Sequence, residues 1–453
     1  MLSRVSFDPR SPGGEIAVVG SGIAGLSAAW LLSQRHPVTV FEKNAQPGGH
    51  SNTVDAPAPR SVLPVDTGFM VYNEVNYPNL VALFRHLGVA TKPADMSFAA
   101  SLDGGGFEYS SRDFDGIPRP SDNFLRPRFW SMIRGILRFY REVPALLDHP
   151  AIEGVTLGVY LHHRSYSRAF VDDHILPMSA AIWSAAPGEI RNYPLNAFIR
   201  FFVSHRLTQL RNRLEWRTID GGSREYVRRM TEAFRPGLRT GLGVRKIVRE
   251  SGSVIIEDET GRKRSFDHIV MATHADQALA LLADADPEEK RLLGAFKYAS
   301  NRTLLHTDPA LMPKRRQVWS SWNFIAGEGS CADSPPCVTY WMNRLQGIDS
   351  NSPLFVTLNP IHEPGSGHLL RDLTYEHPQF DAAALLAQRD LWKLQGVRNT
   401  WFCGSYFGYG FHEDALQAGL AVAEELGGVR RPWSIANDLG RIVRASRQRV
   451  DVA

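Results

Sequence analysis

The sequence predicts an α/β fold built on a buried parallel sheet, and three adjacent features predict it. Glu15-Ile16-Ala17-Val18-Val19 is a short, β-branched apolar run, the composition of a strand covered on both faces. Gly20-Ser21-Gly22-Ile23-Ala24-Gly25 follows at once, and Leu26-Ser27-Ala28-Ala29-Trp30-Leu31-Leu32 reads as a helix of small and apolar residues. Val38-Thr39-Val40-Phe41 is a second strand, closed by the acid Glu42. Strand, glycine turn, helix, strand and acid stand in register, so the motif is a complete βαβ unit.

Each glycine has its own task in such a unit. Gly20 permits the tight turn out of the strand, Gly22 lets the backbone approach a pyrophosphate, and Gly25 lets the helix pack close to the sheet. The pyrophosphate sits at the helix start, where the N–H groups of Ile23 and Ala24 and the helix dipole favour negative charge. Glu42, followed by Lys43, has the spacing of a carboxylate that accepts hydrogen bonds from ribose hydroxyls. An acid there repels a 2′-phosphate, which disfavours NADP. The unit predicts a Rossmann-type domain and does not by itself separate FAD from NAD.

The next segments carry a resemblance that does. Asn44-Ala45-Gln46-Pro47-Gly48-Gly49-His50-Ser51-Asn52-Thr53 places a Gly-Gly pair just past the second strand. Val65-Asp66-Thr67-Gly68-Phe69, Gly243-Val244-Arg245-Lys246-Ile247 and His268-Ile269-Val270-Met271-Ala272-Thr273 follow further on. Near the C-terminus, Trp401-Phe402-Cys403-Gly404-Ser405 runs into Gly410-Phe411-His412-Glu413-Asp414-Ala415-Leu416-Gln417-Ala418-Gly419. In these pieces the chain resembles the flavin-containing amine oxidase and phytoene desaturase superfamily, whose fold is of the glutathione reductase class. The resemblance implies FAD, with Gly48, Gly49 and His50 near its pyrophosphate and flavin. It also implies Thr67 and Gly68 beside the isoalloxazine, Val244 at the adenine, and Thr273 and Gly404 past the ends of sheet strands. His412, Glu413, Asp414 and Ala415 would then start a helix aimed at the flavin, whose dipole supports negative charge on the reduced ring. Asp414 departs from the family pattern, which has glycine there; as a helix cap its carboxylate would point away from the flavin.

A narrower resemblance covers nearly the whole chain. The Gly-Gly-His-Ser-Asn-Thr, Asp-Thr-Gly-Phe-Met-Val-Tyr-Asn and Tyr-Gly-Phe-His-Glu-Asp stretches are similar to bacterial flavoproteins associated with modified membrane fatty acids, of cyclopropane, methyl-branched and furan types. Ser321-Trp322-Asn323 and Tyr340-Trp341-Met342-Asn343-Arg344-Leu345 share that likeness.

The dinucleotide-binding pieces are separated in sequence, which implies a discontinuous FAD-binding domain over 13–95, 219–285 and 396–430. An inserted α+β substrate domain is expected over 96–218 and 286–395, and a basic amphipathic tail over 431–453. There is no second strand-glycine-helix fingerprint, so oxygen, a quinone or a carrier protein is the expected electron acceptor.

The 453 residues hold 43% hydrophobic and 22% charged side chains, the balance of a folded protein with two or three domains' worth of core. No apolar run reaches transmembrane length, and residues 1–14 lack the apolar centre of a secretory signal. A cytoplasmic protein is expected. The three cysteines, Cys331, Cys337 and Cys403, form no CxxC pair and predict neither a disulfide framework nor a zinc site. A net charge of +4 is too small to imply nucleic-acid binding.

Two segments nevertheless carry clustered arginines. In 123–144, Phe129, Ile133, Ile136, Leu137 and Tyr140 recur at helical spacing among Arg134, Arg138 and Arg141. In the tail, Ile435, Leu439, Ile442 and Val443 lie near Arg441, Arg444, Arg447 and Arg449. Such helices can lie on an anionic membrane, here the inner face; a core helix with a solvated arginine face is the competing reading.

For the chemistry, Phe411 and His412 are the candidate catalytic residues, and Trp322, Asn323, Tyr340, Asn343, Arg344 and Tyr409 are the candidate substrate contacts. Tyr406, Phe407, Trp319 and Trp341 add aromatic surface, with ordinary core packing as the alternative. No metal-ligand cluster is evident. Three functions remain open: oxidation or desaturation of a lipid acyl chain; amine oxidation to aldehyde and peroxide, for which only Phe411 of an aromatic cage is placed; and a redox-neutral isomerase or non-catalytic flavoprotein.

Overall fold

A computed structural model describes residues 14–58, 61–111, 123–209, 211–327, 334–348, 352–436 and 440–444. Its centre is a five-stranded parallel sheet. The strands are β1 (Ile16–Val19), β2 (Val38–Glu42), β3 (Leu238–Thr240), β4 (His268–Met271) and β5 (Thr400–Phe402). Their spatial order is β3-β2-β1-β4-β5, with every pair parallel. This is the α/β Rossmann-type arrangement that the first βαβ unit predicts. β1 and β2 are buried along their whole length, as strands covered on both faces must be.

Five helices matter for the site: α1 (Ile23–Leu32), α2 (Pro78–Leu87), α3 (Pro127–Glu142), α4 (Leu195–Ser204) and α5 (His412–Gly427). All ten residues of α1 are buried, and α1 packs on α5. The crossing is close because Gly419 of α5 lies on the Ala24 carbonyl and Ser27 of α1; a Cβ there would sit 3.0 Å from the Ala24 carbonyl carbon.

A second, seven-stranded sheet stands beside the first. Its order is Leu369–Gln379, Lys297–His306, Phe355–Leu358, Cys337–Trp341, Trp322–Ile325, Phe98–Leu102 and Phe107–Ser110. All its pairs are antiparallel except Trp322–Ile325 with Phe98–Leu102. The helical layer of α3, α4 and the helices between them covers one end.

α3 buries most of its apolar stripe. Phe129, Ile133, Ile136 and Tyr140 are buried, and Gly135 lies against Phe170, so the apolar stripe is core. The outward face carries Trp130 and Leu137, with Phe124 and Leu125 just before the helix. In the tail, the described residues 431–436 and 440–444 form no helix. Arg441 instead reaches back to Asp414 at 3.4 Å and to the Asn76 carbonyl, and Ile442 is buried. Leu439, Arg447 and Arg449 lie outside the described residues, as does Cys331. Among the described residues, no helix is long and apolar enough to cross a membrane.

Candidate active site

Every segment singled out for the dinucleotide ends at one edge of the parallel sheet. Gly20 follows β1, Glu42 closes β2, Val244 lies just beyond β3, Thr273 beyond β4 and Gly404 beyond β5. The carboxyl edge of such a sheet is where ligands bind in open α/β folds. A cavity of about 1000 Å³ opens there, at the upper end of the range for cofactor sites.

Its lining includes Gly20, Gly22, Ile23, Ala24, Glu42, Lys43, Gly48, Gly49, His50, Thr67, Gly68, Val244, Thr273, Gly404, Phe411, His412 and Ala415. Gly25 does not line it. A Cβ at Gly25 would sit 3.0 Å from the Gly20 carbonyl carbon and 3.1 Å from Ala272 Cβ, so this glycine serves helix packing. Gly22 is different, because a Cβ there would meet nothing within 4 Å and would project into open space. Gly49 approaches it, at 3.1 Å from its own Cβ position to Gly22 Cα, and Gly48 N–H donates to the Ser21 carbonyl at 3.0 Å. The two glycine segments therefore form one backbone floor.

The starts of α1 and α5 both reach this cavity, so two positive helix ends converge on it. Glu42 is buried, with one carboxylate oxygen accepting from the Ser21 N–H (3.1 Å) and hydroxyl (2.5 Å) and the other from the Asn44 N–H (2.8 Å). A floor without Cβ atoms, two helix starts and a fixed acid together fit an adenine dinucleotide. The continuation of the same cavity past Thr67, Gly68 and Gly404 to His412 leaves room for its second half.

His412 is held tightly. Its ring stacks on Phe69 with centroids 3.7 Å apart, and its Nε2 lies 2.7 Å from the Tyr226 hydroxyl, which also bonds Ser51. Burial pushes its imidazole down to about 3, so it is neutral. His50 belongs to a second imidazole group. Its ring lies 5.0 Å from Tyr375, 5.4 Å from His377 and 6.4 Å from His274. Burial, then the neighbouring imidazoles, hold His50 well below the ordinary value, and burial takes His377 to about 4.

Two neighbours of His412 turn away. Glu413 and Asp414 are buried but do not line the cavity. Glu413 caps α2, accepting from the Asn79 N–H and side-chain amide and from the Leu80 N–H, each at 3.0 Å. Asp414 accepts from the Phe411 N–H at 2.7 Å and so caps its own helix.

The substrate contacts divide in the same way. Trp322 and Tyr340 line the cavity as a directly opposed cross-strand pair, edge to face at 4.8 Å. Asn323 cannot join them, because side chains alternate along a strand. It bonds the Ser320 and Thr339 carbonyls instead. Asn343 ties the Ser352 carbonyl and the Leu354 N–H, and Arg344 pairs with Asp95 at 2.8 Å. These three hold loops, and neither they nor Tyr409 reach the cavity. Tyr406 does line it, whereas Trp319 and Trp341 pack in a separate small cluster.

Several lining residues escaped sequence reading. Phe411 stacks on Phe201 at 5.1 Å, His205 stacks on Phe201 at 3.9 Å, and Trp216 lies 6.2 Å from His205. Met96, Met178, Ile182 and Leu207 continue this apolar arm; Tyr109 of the second sheet, Tyr140 and His174 of the helical layer, and Arg213 in the loop after α4 also line the cavity. The four-residue spacing of Phe201 and His205 was the one available signal.

The comparisons agree with this geometry. A variant of putrescine oxidase superposes with a TM-score of 0.66 at 15% identity, covering 91% of this chain and 98% of the other. Cyclohexylamine oxidase from Brevibacterium oxydans gives 0.63 at 18% identity, covering 92% and 100%. A fatty acid isomerase from P. acnes gives 0.63 at 15% identity, covering 91% and 98%. At such identities the likeness is one of fold. No curated protein matches the sequence. The family model described as flavin containing amine oxidoreductase matches residues 23–307, well over half of the chain and from the pyrophosphate turn into the second sheet. Cradle, cavity and family match thus point one way: the chain belongs to the flavin-containing amine oxidoreductase family and is an FAD-dependent oxidoreductase.

Proposed function

We propose that this enzyme oxidises a fatty acyl chain of a lipid, with desaturation as the outcome. The chemistry that bound FAD supplies is acceptance of a hydride at flavin N5. Gly20, Gly22, Ile23 and Ala24 would hold the pyrophosphate, Glu42 and Lys43 the ribose, and Val244 the adenine. Gly48, Gly49, His50, Thr67, Gly68, Thr273, Gly404, His412 and Ala415 would hold the flavin half. Phe411, with Phe201 and His205 behind it, would place the reacting carbon and exclude water. His412, fixed by Tyr226, would keep a neutral imidazole beside the reaction and exchange a proton at Nδ1.

The observation that carries this reading is the apolar arm. It is walled by Met96, Met178, Ile182, Phe201, Leu207 and Trp216, and among the described residues of the helical layer no Asp or Glu lines it. An acyl chain gains about 25 cal/mol for each Å² buried there. An ammonium group finds no carboxylate in that arm, since the lining glutamates Glu42, Glu259 and Glu376 come from other parts of the chain, and among the described residues of the helical layer the one formally charged lining side chain is a cation. These facts favour a lipid over an amine. Double-bond isomerisation, named for the fatty acid isomerase of similar fold, would use the same arm.

In this proposal residues 13–95, 219–285 and 396–430 would bind FAD, and residues 96–218 and 286–395 the substrate. Oxygen, a quinone or a carrier protein would reoxidise the enzyme. Contact with an anionic membrane surface is supported by exposed Phe124, Leu125, Trp130 and Leu137 lying among exposed Arg126, Arg134 and Arg141.

Anaerobic titration of the holoenzyme tests the function. Bleaching of the flavin band by fatty acid or phospholipid, with an unsaturated product, is the expected result. Bleaching by amines instead would overturn it, and a shifted double bond without bleaching would establish isomerisation.

A further inference from the structure

We propose that Arg213 and the Tyr140 hydroxyl together anchor the anionic head group of the substrate, at the end of the cavity walled by the helical layer. The proposal rests on the acyl-chain reading and names the end of the molecule which that reading leaves open.

Arg213 is the only arginine among the described residues that line the cavity. It is exposed, in the loop between α4 and the strand Trp216–Ile219, so it stands at the rim. Its Nε donates to the Gln209 carbonyl at 3.1 Å, and its guanidinium stands near the Tyr140 hydroxyl, which lines the same cavity. Neither partner is charged, and no described carboxylate pairs with it. Arg128 and Arg249, elsewhere in the molecule, are each matched by two acids.

The chemistry of the two groups gives the site its sign. A guanidinium has five donors and no acceptor, so Arg213 cannot take the Tyr140 proton. The phenolic proton is then free to donate. Tyr140 is 6% exposed, and its hydroxyl donates to none of the described residues. Two donors thus stand close together, one cationic and one neutral, with the neutral imidazole of His174 on the same wall. A carboxylate or phosphate oxygen satisfies both, and charge-assisted bonds of this kind are the strong ones. A neutral ester satisfies them poorly. With the head held at the rim, the chain would run past Trp216, His205 and Phe201 toward Phe411. The oxidised carbon would then be fixed by its distance from the head group and not from the methyl end.

The test uses holoenzyme and three probes below their micellar concentrations: oleate, oleoyl lysophosphatidylglycerol and methyl oleate. Binding is read from tryptophan fluorescence and the flavin spectrum. Wild type should bind one anionic probe about 10- to 100-fold tighter than methyl oleate. Preference for oleate identifies a free carboxylate, and preference for the lysophospholipid identifies a phosphate head. Arg213→Gln should abolish the preference and leave methyl oleate affinity and FAD content unchanged. Arg213→Lys should keep part of it, and Tyr140→Phe should weaken it less than Arg213→Gln. Equal binding of all three probes by wild type, or a preference surviving in Arg213→Gln, overturns the anchor alone. Binding of none overturns the acyl-chain reading and the anchor with it.

Discussion

Replacing Gly419 by alanine tests whether the close crossing of α1 and α5 sets the cofactor site. A methyl group at Gly419 would lie 3.0 Å from the Ala24 carbonyl carbon, and nearer still to the carbonyl oxygen and the Ser27 hydroxyl. Ordinary contact begins about half an ångström or more beyond that distance, and the obstacle is largely backbone, which cannot rotate aside. Overpacking of this kind costs about 1–3 kcal/mol. α1 and α5 both begin at the cavity, so parting them displaces both helix starts together. If about half of a 3 kcal/mol overlap is relieved in this way, FAD affinity falls about tenfold. Equilibrium dialysis of apoprotein with FAD, alongside thermal unfolding, measures both effects. Gly428→Ala is the control, since Gly428 caps the far end of α5 at φ +60° with nothing within 4 Å of its Cβ position. It should cost about 1 kcal/mol of stability through its left-handed backbone and leave FAD binding alone. Unchanged FAD affinity in Gly419→Ala, with a normal melting temperature, would refute the reasoning.

Four further outcomes are expected. Burial raises the Asp66 carboxyl from 3.8 to about 6, so the folded state binds this proton more tightly than the unfolded chain. Its contribution of about 3 kcal/mol is fully present below about pH 3.8 and lost as the pH rises through about 6; in urea unfolding between pH 4 and 7, Asp66→Asn should remove that slope, and an unaltered slope would count against it. Tyr226→Phe releases His412 Nε2 and should slow anaerobic flavin reduction about tenfold with FAD content intact; an unchanged rate would show that the ring needs no such hold. Glu413→Gln should lower stability by about 1–3 kcal/mol through the cap of α2, yet leave the flavin spectrum as it was; a shifted spectrum would place the carboxylate at the cofactor after all. Leu125→Asp with Trp130→Asp should cut binding to anionic vesicles about tenfold, and wild-type binding should weaken with salt; indifference to both would remove the membrane surface.

The glycines were legible because their role is an absence. No other residue lets Gly22 leave open space for a ligand or lets Gly25 admit a helix against Gly20, so letter and geometry correspond one to one. Side chains with several possible partners were not legible. Asn323, Asn343 and Arg344 are polar among aromatics, and the sequence does not say whether such groups face a cavity or a carbonyl. Strand alternation decides it for Asn323, once Trp322 is known to face inward. The stripe on α3 was visible, but whether it met lipid or Phe170 depended on a helix some forty residues away. Arg213 gave no signal, since one arginine in a run of several acquires meaning only from the ring of Tyr140 beside it.

The strand order has a consequence for how the molecule is made. β1 and β2 leave the ribosome early, but β5 and α5 follow only after about 360 further residues, some 20–70 s at usual rates of synthesis. Through that interval α1, whose ten residues are all covered in the finished protein, lacks the partner helix that shields it. The nascent chain thus carries an uncovered greasy helix throughout that interval, a natural target for chaperones. Coenzyme capture has to wait until α5 has emerged.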